Sequence, residues 1–156
     1  MATTIALAAY WLCTLAPMPH LERAQQKVES GGNAWAVGED TDRGLWQVTP
    51  IGWCAAGQEW GLYAKGTLKG KVWAALHPVV HLPKLNQLAR RAIMKRLLRR
   101  SRGAAGPALR AYNCGNKGLL RECGDGYLIR LQKAGGRWKG GPDGMDGTRQ
   151  RDLPYL

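Results

Sequence analysis

The fold of this chain is decided by residues 29–48, which read ESGGNAWAVGEDTDRGLWQV. Residues 21–30 lead into this stretch and overlap its first two residues. They place their apolar side chains at helical spacing, which predicts an amphipathic helix. Gly31 and Gly32 then supply the backbone freedom that a helix end requires. After the glycines we expect a small hairpin or loop around residues 36–48.

Further helices are expected within residues 2–16, 51–66, 69–76, 84–102, 107–112 and 127–134. Gly103 and Gly106 should break the chain after the longest of these helices, and Pro107 should begin the next one, because proline suits a first helical turn. The predicted fold class is therefore mainly α with a small β-hairpin or loop wall. We expect one domain over residues 1–134 and a Gly/Pro-rich C-terminal tail over residues 135–156.

The composition is that of a folded and strongly basic protein. Of its 156 residues 45% are hydrophobic, which excludes compositional disorder. It has 23 Lys and Arg against 11 Asp and Glu, a formal net charge of +12, and such a charge draws a protein to polyanions. The Arg-rich segment 90–102 does not sort its cations onto one face, since Arg96 falls within the apolar stripe. We therefore expect a solvated basic face and no specific nucleic-acid contact.

The cysteines leave the redox state open, and the histidines do not predict a metal site. The four cysteines are Cys13, Cys54, Cys114 and Cys123. They permit two disulfides with three possible connectivities in an oxidising compartment, or small buried thiols in a reducing one. His77 and His81 are four residues apart, but Pro78 follows the first and no Glu stands beside it, so zinc is disfavoured. We expect no metal and no cofactor.

The chain opens on an uncharged apolar run. Residues 2–19 contain no Lys, Arg, Asp or Glu, and the first cation is Arg23. A secretory signal would have a basic start, and Pro17 and Pro19 interrupt the run, which disfavours a membrane span. We therefore expect a buried first helix, with an export or anchor segment as the alternative.

Three short blocks carry the functional signal. They are Glu29-Ser30-Gly31-Gly32-Asn33, then Gly44-Leu45-Trp46-Gln47-Val48 fifteen residues after the Glu, and much later Ala111-Tyr112-Asn113-Cys114-Gly115. In this order they resemble the soluble lytic transglycosylases and their goose-type lysozyme relatives. In that family a helix ends in Glu-Ser, the next block reads Gly-Leu-Met-Gln-Ile or Val, and the third reads Ala-Tyr-Asn-x-Gly. The resemblance covers roughly residues 18–134 and implies a lysozyme-like fold.

The resemblance also implies a role for each residue of these blocks. Glu29 would be the general acid and then the general base that cleaves the glycan strand of bacterial peptidoglycan. Such an acid must arrive protonated, which partial burial and the negative end of a helix dipole both favour. Gln47 and Asn113 would offer amides to the N-acetyl groups, and Tyr112 would hold the Glu or the sugar. The implied substrate-binding residues are Ser30, Gly44, Trp46, Gln47, Tyr112 and Asn113.

Two positions depart from the family's pattern. Trp46 stands where the family often has Met, which predicts firmer stacking of a sugar ring. Gly38 stands where the family often has Ser, whose hydroxyl can contact the catalytic carboxyl. Water or another residue must then supply that contact.

The nucleophile separates two possible reactions. Without a second carboxylate the 6-hydroxyl of muramic acid attacks and an anhydro sugar forms, whereas a second carboxylate activates water for hydrolysis. Asp42 resembles an acidic residue of goose-type lysozymes, although acidic residues in turns are commonly solvated. We therefore expect a lytic transglycosylase that forms 1,6-anhydromuramic ends. The alternative is a muramidase that uses Asp42 or Asp40.

A competing interpretation of another class is a basic cell-wall or nucleic-acid-binding module without catalysis. The expected partners are peptidoglycan glycan strands. We expect the protein to be a monomer whose cations also contact the anionic wall or membrane. Small basic enzymes with this motif and no signal peptide are typical of bacteriophages, as endolysins or virion-borne enzymes. The expected place of action is thus the bacterial cell wall, reached through a holin or from a virion.

Overall fold

The computed structural model describes residues 19–62, 79–120 and 123–138. Its helices are α1 (His20–Ser30), α2 (Pro50–Glu59), α3 (Pro83–Arg100), α4 (Ala105–Cys114), α5 (Asn116–Leu119) and α6 (Asp125–Lys133). Helix accounts for 62% of the structure and strand for 3%, which confirms the mainly α class. The helices predicted within residues 2–16 and 69–76, and the tail beyond residue 138, lie outside the described residues. Within the described ranges, none of the helices has the length and apolar character that crossing a membrane needs.

Local sequence explains where several helices begin and end. At the start of α2 the Thr49 hydroxyl accepts a hydrogen bond from the Gly52 N–H at 3.0 Å, and Pro50 is the first helical residue. Both are favoured helix-start features, because they satisfy or remove N–H groups that have no acceptor inside the helix. At the end of α1, Gly31 and Gly32 adopt positive φ of 63° and 90°, as predicted.

The prediction that Gly103 and Gly106 both break the chain is right for the first only. Gly103 has a positive φ of 88° and lies between α3 and α4. Gly106 and Pro107 instead lie in the first turn of α4, which begins at Ala105. Proline fits there because the first N–H groups of a helix have no intrahelical acceptor to lose. The sequence does not predict α5, since four residues are too few to show a helical period.

The segment predicted as a hairpin or loop, 36–48, is a small antiparallel structure. Two isolated bridges, Val37 to Arg43 and Arg43 to Val48, share the middle residue. Backbone hydrogen bonds join the Gly38 N–H to the Asp42 carbonyl at 3.0 Å and the Arg43 N–H to the Val48 carbonyl at 3.2 Å. The expected hairpin is therefore present in reduced form, as single bridges in place of strands.

The chain divides into two compact units. Among the described residues, the first unit contains 29–62 and 79–92, and the second contains 19–28, 93–120 and 123–138. The boundaries therefore fall within α1 and α3. Buried apolar residues of the first unit are Leu45, Trp46, Val48, Trp53, Cys54, Ala56, Val80, Ala89 and Ala92. The single domain predicted over residues 1–134 stays a prediction.

The second unit has a core drawn from α1, α3, α4 and α6. Its buried members are Ala24, Met94, Leu97, Leu98, Ala105, Ala108, Leu109, Ala111, Tyr127, Leu128 and Leu131. Inside it Gln25 Nε2 donates to the Tyr127 hydroxyl at 3.2 Å, because a buried polar group needs a partner. Cys114 and Cys123 form a disulfide, and Cys54 is buried. A disulfide, one of the two states that the sequence left open for its cysteines, therefore occurs among the described residues.

Candidate functional site

Glu29 lies in the last turn of α1 and is half-buried. The next residue, Ser30, donates its hydroxyl to the Leu45 carbonyl at 2.8 Å and accepts from the Gly32 N–H at 3.2 Å. These bonds attach the end of α1 to the Gly44–Val48 block. The first two sequence blocks are thereby joined within one unit, with the carboxyl-bearing residue beside the junction.

The side chain of Asn86 holds this junction to the start of α3. Asn86 is fully buried, at 0% exposure, and its Nδ2 donates to the Arg43 carbonyl at 2.9 Å and the Val80 carbonyl at 3.0 Å. Its Oδ1 accepts from the Trp46 N–H at 2.9 Å. The sequence does not predict this hydrogen-bonding role, because a single Asn near the start of a helix is most often a surface residue.

Position 44 requires glycine for two reasons, its backbone conformation and the close approach of Asn86. Its φ is 81°, a region that residues with a Cβ rarely adopt. A Cβ at this position would also overlap the amide of Asn86. The sequence predicts that Gly44 lets a glycan approach the backbone. The group that approaches it in the structure is the Asn86 side chain, so any glycan contact there stays a prediction.

Gln47 has a strained backbone conformation, and its side-chain amide donates one hydrogen bond within the turn. Its φ is 46°, in the left-handed region that disfavours residues other than glycine. Its Nε2 donates to the Gly44 carbonyl at 2.9 Å, and the side chain is half-buried. Such strain costs about 1–3 kcal/mol and concentrates at functional sites. The predicted contact between the Gln47 amide and an N-acetyl group stays a prediction.

Trp46 corrects one expectation from the sequence. Its side chain is fully buried, at 0% exposure. A sugar ring stacks on an indole only where one face of the indole is open, so Trp46 does not offer the predicted stacking surface. Trp46 therefore fills the core of the first unit, where a large apolar side chain is stabilising.

The two acidic candidates in the hairpin differ in their surroundings. Asp42 is half-buried and Asp40 is exposed. A Cβ built on Gly38 would overlap the Asp42 carboxylate, so this carboxylate lies in the space that a side chain at position 38 would take.

Tyr112 and Asn113 lie near the end of α4, in the second unit. Tyr112 is half-buried and packs against the core of that unit, and Asn113 is exposed. The resemblance implies that Tyr112 holds Glu29 or the sugar and that Asn113 binds an N-acetyl group. Glu29 belongs to the other unit, and these roles stay predictions.

Arg110 supports the segment that follows these two residues, and the sequence did not single it out. It is buried, with Nε donating to the Gly118 carbonyl at 3.2 Å and Nη1 pairing with Asp125 Oδ1 at 3.3 Å. A Cβ on Gly118 or Gly124 would overlap Arg110, so α5 and the start of α6 pack directly on it. In a chain with 23 Lys and Arg, a structural arginine cannot be distinguished from a surface cation by type.

Among the described residues, no group of three or more His, Cys, Asp or Glu could hold a metal ion. A comparison of the chain with protein-family models, with curated proteins and with solved structures finds no match. The functional interpretation therefore depends on the three sequence blocks and on the geometry around Glu29.

Proposed function

We propose that this chain cleaves the β-1,4 bond between N-acetylmuramic acid and N-acetylglucosamine in bacterial peptidoglycan. In this proposal it has a lysozyme-like fold and acts as a lytic transglycosylase. The observation that carries the proposal is the 2.8 Å hydrogen bond from Ser30 to the Leu45 carbonyl. It fixes the helix end that bears Glu29 against the Gly44–Val48 turn, and Glu29 itself is half-buried, as a glycosidic acid should be.

The proposed reaction uses one carboxyl twice. Glu29 gives its proton to the bridging oxygen while the bond from that oxygen to C1 of muramic acid breaks. The resulting carboxylate then takes the proton of the C6 hydroxyl while the C6 oxygen bonds to C1. The products are a free 4-hydroxyl and a 1,6-anhydromuramic end. Glu29 is again protonated, and no water is consumed.

A hydrolytic alternative has a specific observation in its favour. Asp42 is half-buried beside Gly38 in the turn of the hairpin, whereas Asp40 is exposed. Asp42 is therefore the better candidate for a second carboxylate that activates water. This muramidase would leave reducing ends, heavier by one water than anhydro ends.

Replacing Asp42 with asparagine distinguishes the two reactions. We expect the parent to release anhydro muropeptides, and Asp42→Asn to keep that product and to lose less than about threefold in rate. A catalytic base would instead contribute roughly 100-fold or more. Mass spectrometry of a peptidoglycan digest measures the product, and Asp40→Asn is the matched control. Reducing ends from the parent, together with an inactive Asp42→Asn, would establish the muramidase.

The distribution of charge supports attachment to an anionic wall. Among the described residues, the second unit contains twelve Lys and Arg against two Asp and Glu. The first unit, which contains Glu29, has four Lys and Arg against five Asp and Glu. The cations are therefore concentrated in the unit without the proposed acid, where they can bind wall polymers. A strongly positive surrounding would favour ionisation of the acid, and the described residues of the first unit have no such excess.

Neutralising three exposed cations of the second unit should weaken binding to the wall. The variant combines Lys95→Gln, Arg100→Gln and Lys133→Gln, all at exposed positions. Each cation near an anionic surface contributes about 1 kcal/mol, so we expect at least about a tenfold loss of affinity at low salt. Co-sedimentation with purified cell walls measures it, in a Glu29→Gln background that prevents digestion. Added salt should weaken the parent more than the variant, and equal salt sensitivity would contradict the charge model.

A further inference from the structure

One tryptophan of the first unit is exposed to solvent. The Trp35 side chain is 74% exposed, whereas Trp46 and Trp53 of the same unit are at 0%. Its ring stacks on the His81 imidazole with a centroid separation of 5.1 Å and an interplanar angle of 28°. One face of the indole is thereby covered by a second ring, while most of the side chain stays open to solvent.

Hydrogen bonds fix both partners of this stack. The backbone N–H of Trp35 donates to Asn33 Oδ1 at 2.9 Å. The backbone N–H of Ala36 donates to the Asn33 carbonyl at 3.2 Å, which closes a turn. His81 Nδ1 lies 3.1 Å from the Ala34 carbonyl. Since a carbonyl oxygen only accepts, this contact assigns the proton to Nδ1. The backbone that carries the indole and the imidazole beneath it are therefore fixed before any ligand arrives, which lowers the entropic cost of binding.

We propose that Trp35, supported by His81, is a stacking platform for one pyranose ring of the glycan strand. This inference rests on the proposed function and adds a sugar subsite that the three sequence blocks do not contain. Trp35 follows Glu29 by six residues, on the turn directly after α1. The C–H face of a pyranose is apolar and packs against an aromatic face, while its hydroxyl groups stay in water.

The surrounding charges select a sugar over a nucleobase. Residues 29–42 contain four acidic side chains and no Lys or Arg. A base that stacks on a protein aromatic brings phosphates with it, and such sites have cations along the backbone path. The acidic segment around Trp35 would repel those phosphates, whereas a glycan strand has no charge on its linkages.

The test measures binding to soluble chitohexaose by titration calorimetry and to purified peptidoglycan by co-sedimentation. All variants are made in the Glu29→Gln background, and thermal unfolding verifies that they fold. We expect Trp35→Ala to lower the affinity about tenfold, in the range of aromatic stacking losses, and Trp35→Phe to restore part of it. Ile51→Ala is the matched control, since Ile51 is an apolar side chain of the same unit that is 67% exposed.

The role of His81 as a positioning residue has its own readout. His81→Ala should lower the affinity about threefold, because the indole loses its support, and His81→Phe should restore it. The proposed sugar platform is overturned if Trp35→Ala binds the glycan as tightly as its parent. It is also overturned if Trp35→Ala loses affinity for an oligonucleotide and not for the glycan. A Glu29→Gln parent that does not bind glycan overturns it as well. These outcomes are separate from the proposed function, which fails if Glu29→Gln still cleaves peptidoglycan.

Discussion

Replacing Glu29 with glutamine should stop the release of muropeptides from purified peptidoglycan. Glutamine has nearly the same shape but no proton to give, so both the protonation of the bridging oxygen and the later proton abstraction are lost. General acid–base catalysis contributes 10²- to 10⁴-fold, and we expect a fall of about 10³-fold in the initial rate. Chromatography of soluble muropeptides over time measures it.

The control for this prediction is Glu39→Gln, an exposed glutamate ten residues further on. It makes the same Glu-to-Gln change in the same unit and should leave the rate within about twofold, because a solvated charge contributes little. Wall binding should survive in Glu29→Gln, since the cations of the second unit are unchanged. A Glu29→Gln protein that digests walls at the parental rate would exclude Glu29 as the catalytic acid. A parent that binds walls but releases no muropeptides would instead be a basic binding module.

The second large effect concerns stability. Replacing Asn86 with alanine removes three hydrogen bonds and leaves the Arg43 carbonyl, the Val80 carbonyl and the Trp46 N–H without this partner. Each bond contributes about 1 kcal/mol net, and an unsatisfied buried group costs at least as much. We therefore expect the free energy of unfolding to fall by about 3 kcal/mol. Urea denaturation followed by tryptophan fluorescence measures this change.

Two further variants separate the hydrogen bonds of Asn86 from the size of its side chain. Asn86→Asp keeps the acceptor for the Trp46 N–H but places a carboxylate against two carbonyl oxygens, so it should be destabilised about as much as alanine. Asn116→Ala changes an exposed asparagine and should shift stability by less than about 0.5 kcal/mol. A parental urea midpoint in Asn86→Ala would show that the hairpin is held by packing alone.

The same asparagine connects the fold to the proposed activity. Asn86 binds the Arg43 carbonyl and the Trp46 N–H on either side of Gly44. The Ser30 hydroxyl donates to the Leu45 carbonyl, which lies between these two contacts in the chain. Loss of the Asn86 bonds should therefore release the turn that Ser30 holds against the end of α1. We accordingly infer that Asn86→Ala lowers activity even at temperatures where the protein stays folded.

Several features could be predicted because their signals are local. Apolar spacing over residues 21–30 and the two glycines that follow specify α1 and its end, since helix periodicity and backbone freedom depend on near neighbours. Thr49 and Pro50 lie at the start of α2 for the same reason. A small hairpin or loop around residues 36–48 was also expected. The junction between Ser30 and Leu45 fits the spacing of the first two blocks.

Other assignments depended on contacts between residues distant in sequence. Trp46 and Trp35 are equally plausible sugar-stacking residues by type, but the first is fully buried and the second is 74% exposed. Burial is a property of the packed chain, and no local pattern distinguishes the two. The partnership of Asn86 with Trp46 spans forty residues, and Arg110 looks like any other cation of a basic protein.

The sequence by itself determined the helical class, the ends of α1, the hairpin and the identity of the candidate acid, because each is written in neighbouring residues or in a motif. Only the tertiary structure decided which tryptophan is accessible, which asparagine holds the turn and which cysteines pair. These are properties of side chains brought together from distant segments. These contacts are stabilised by burial and by hydrogen bonds between residues distant in sequence. Such contacts cannot be read from the order of residues alone.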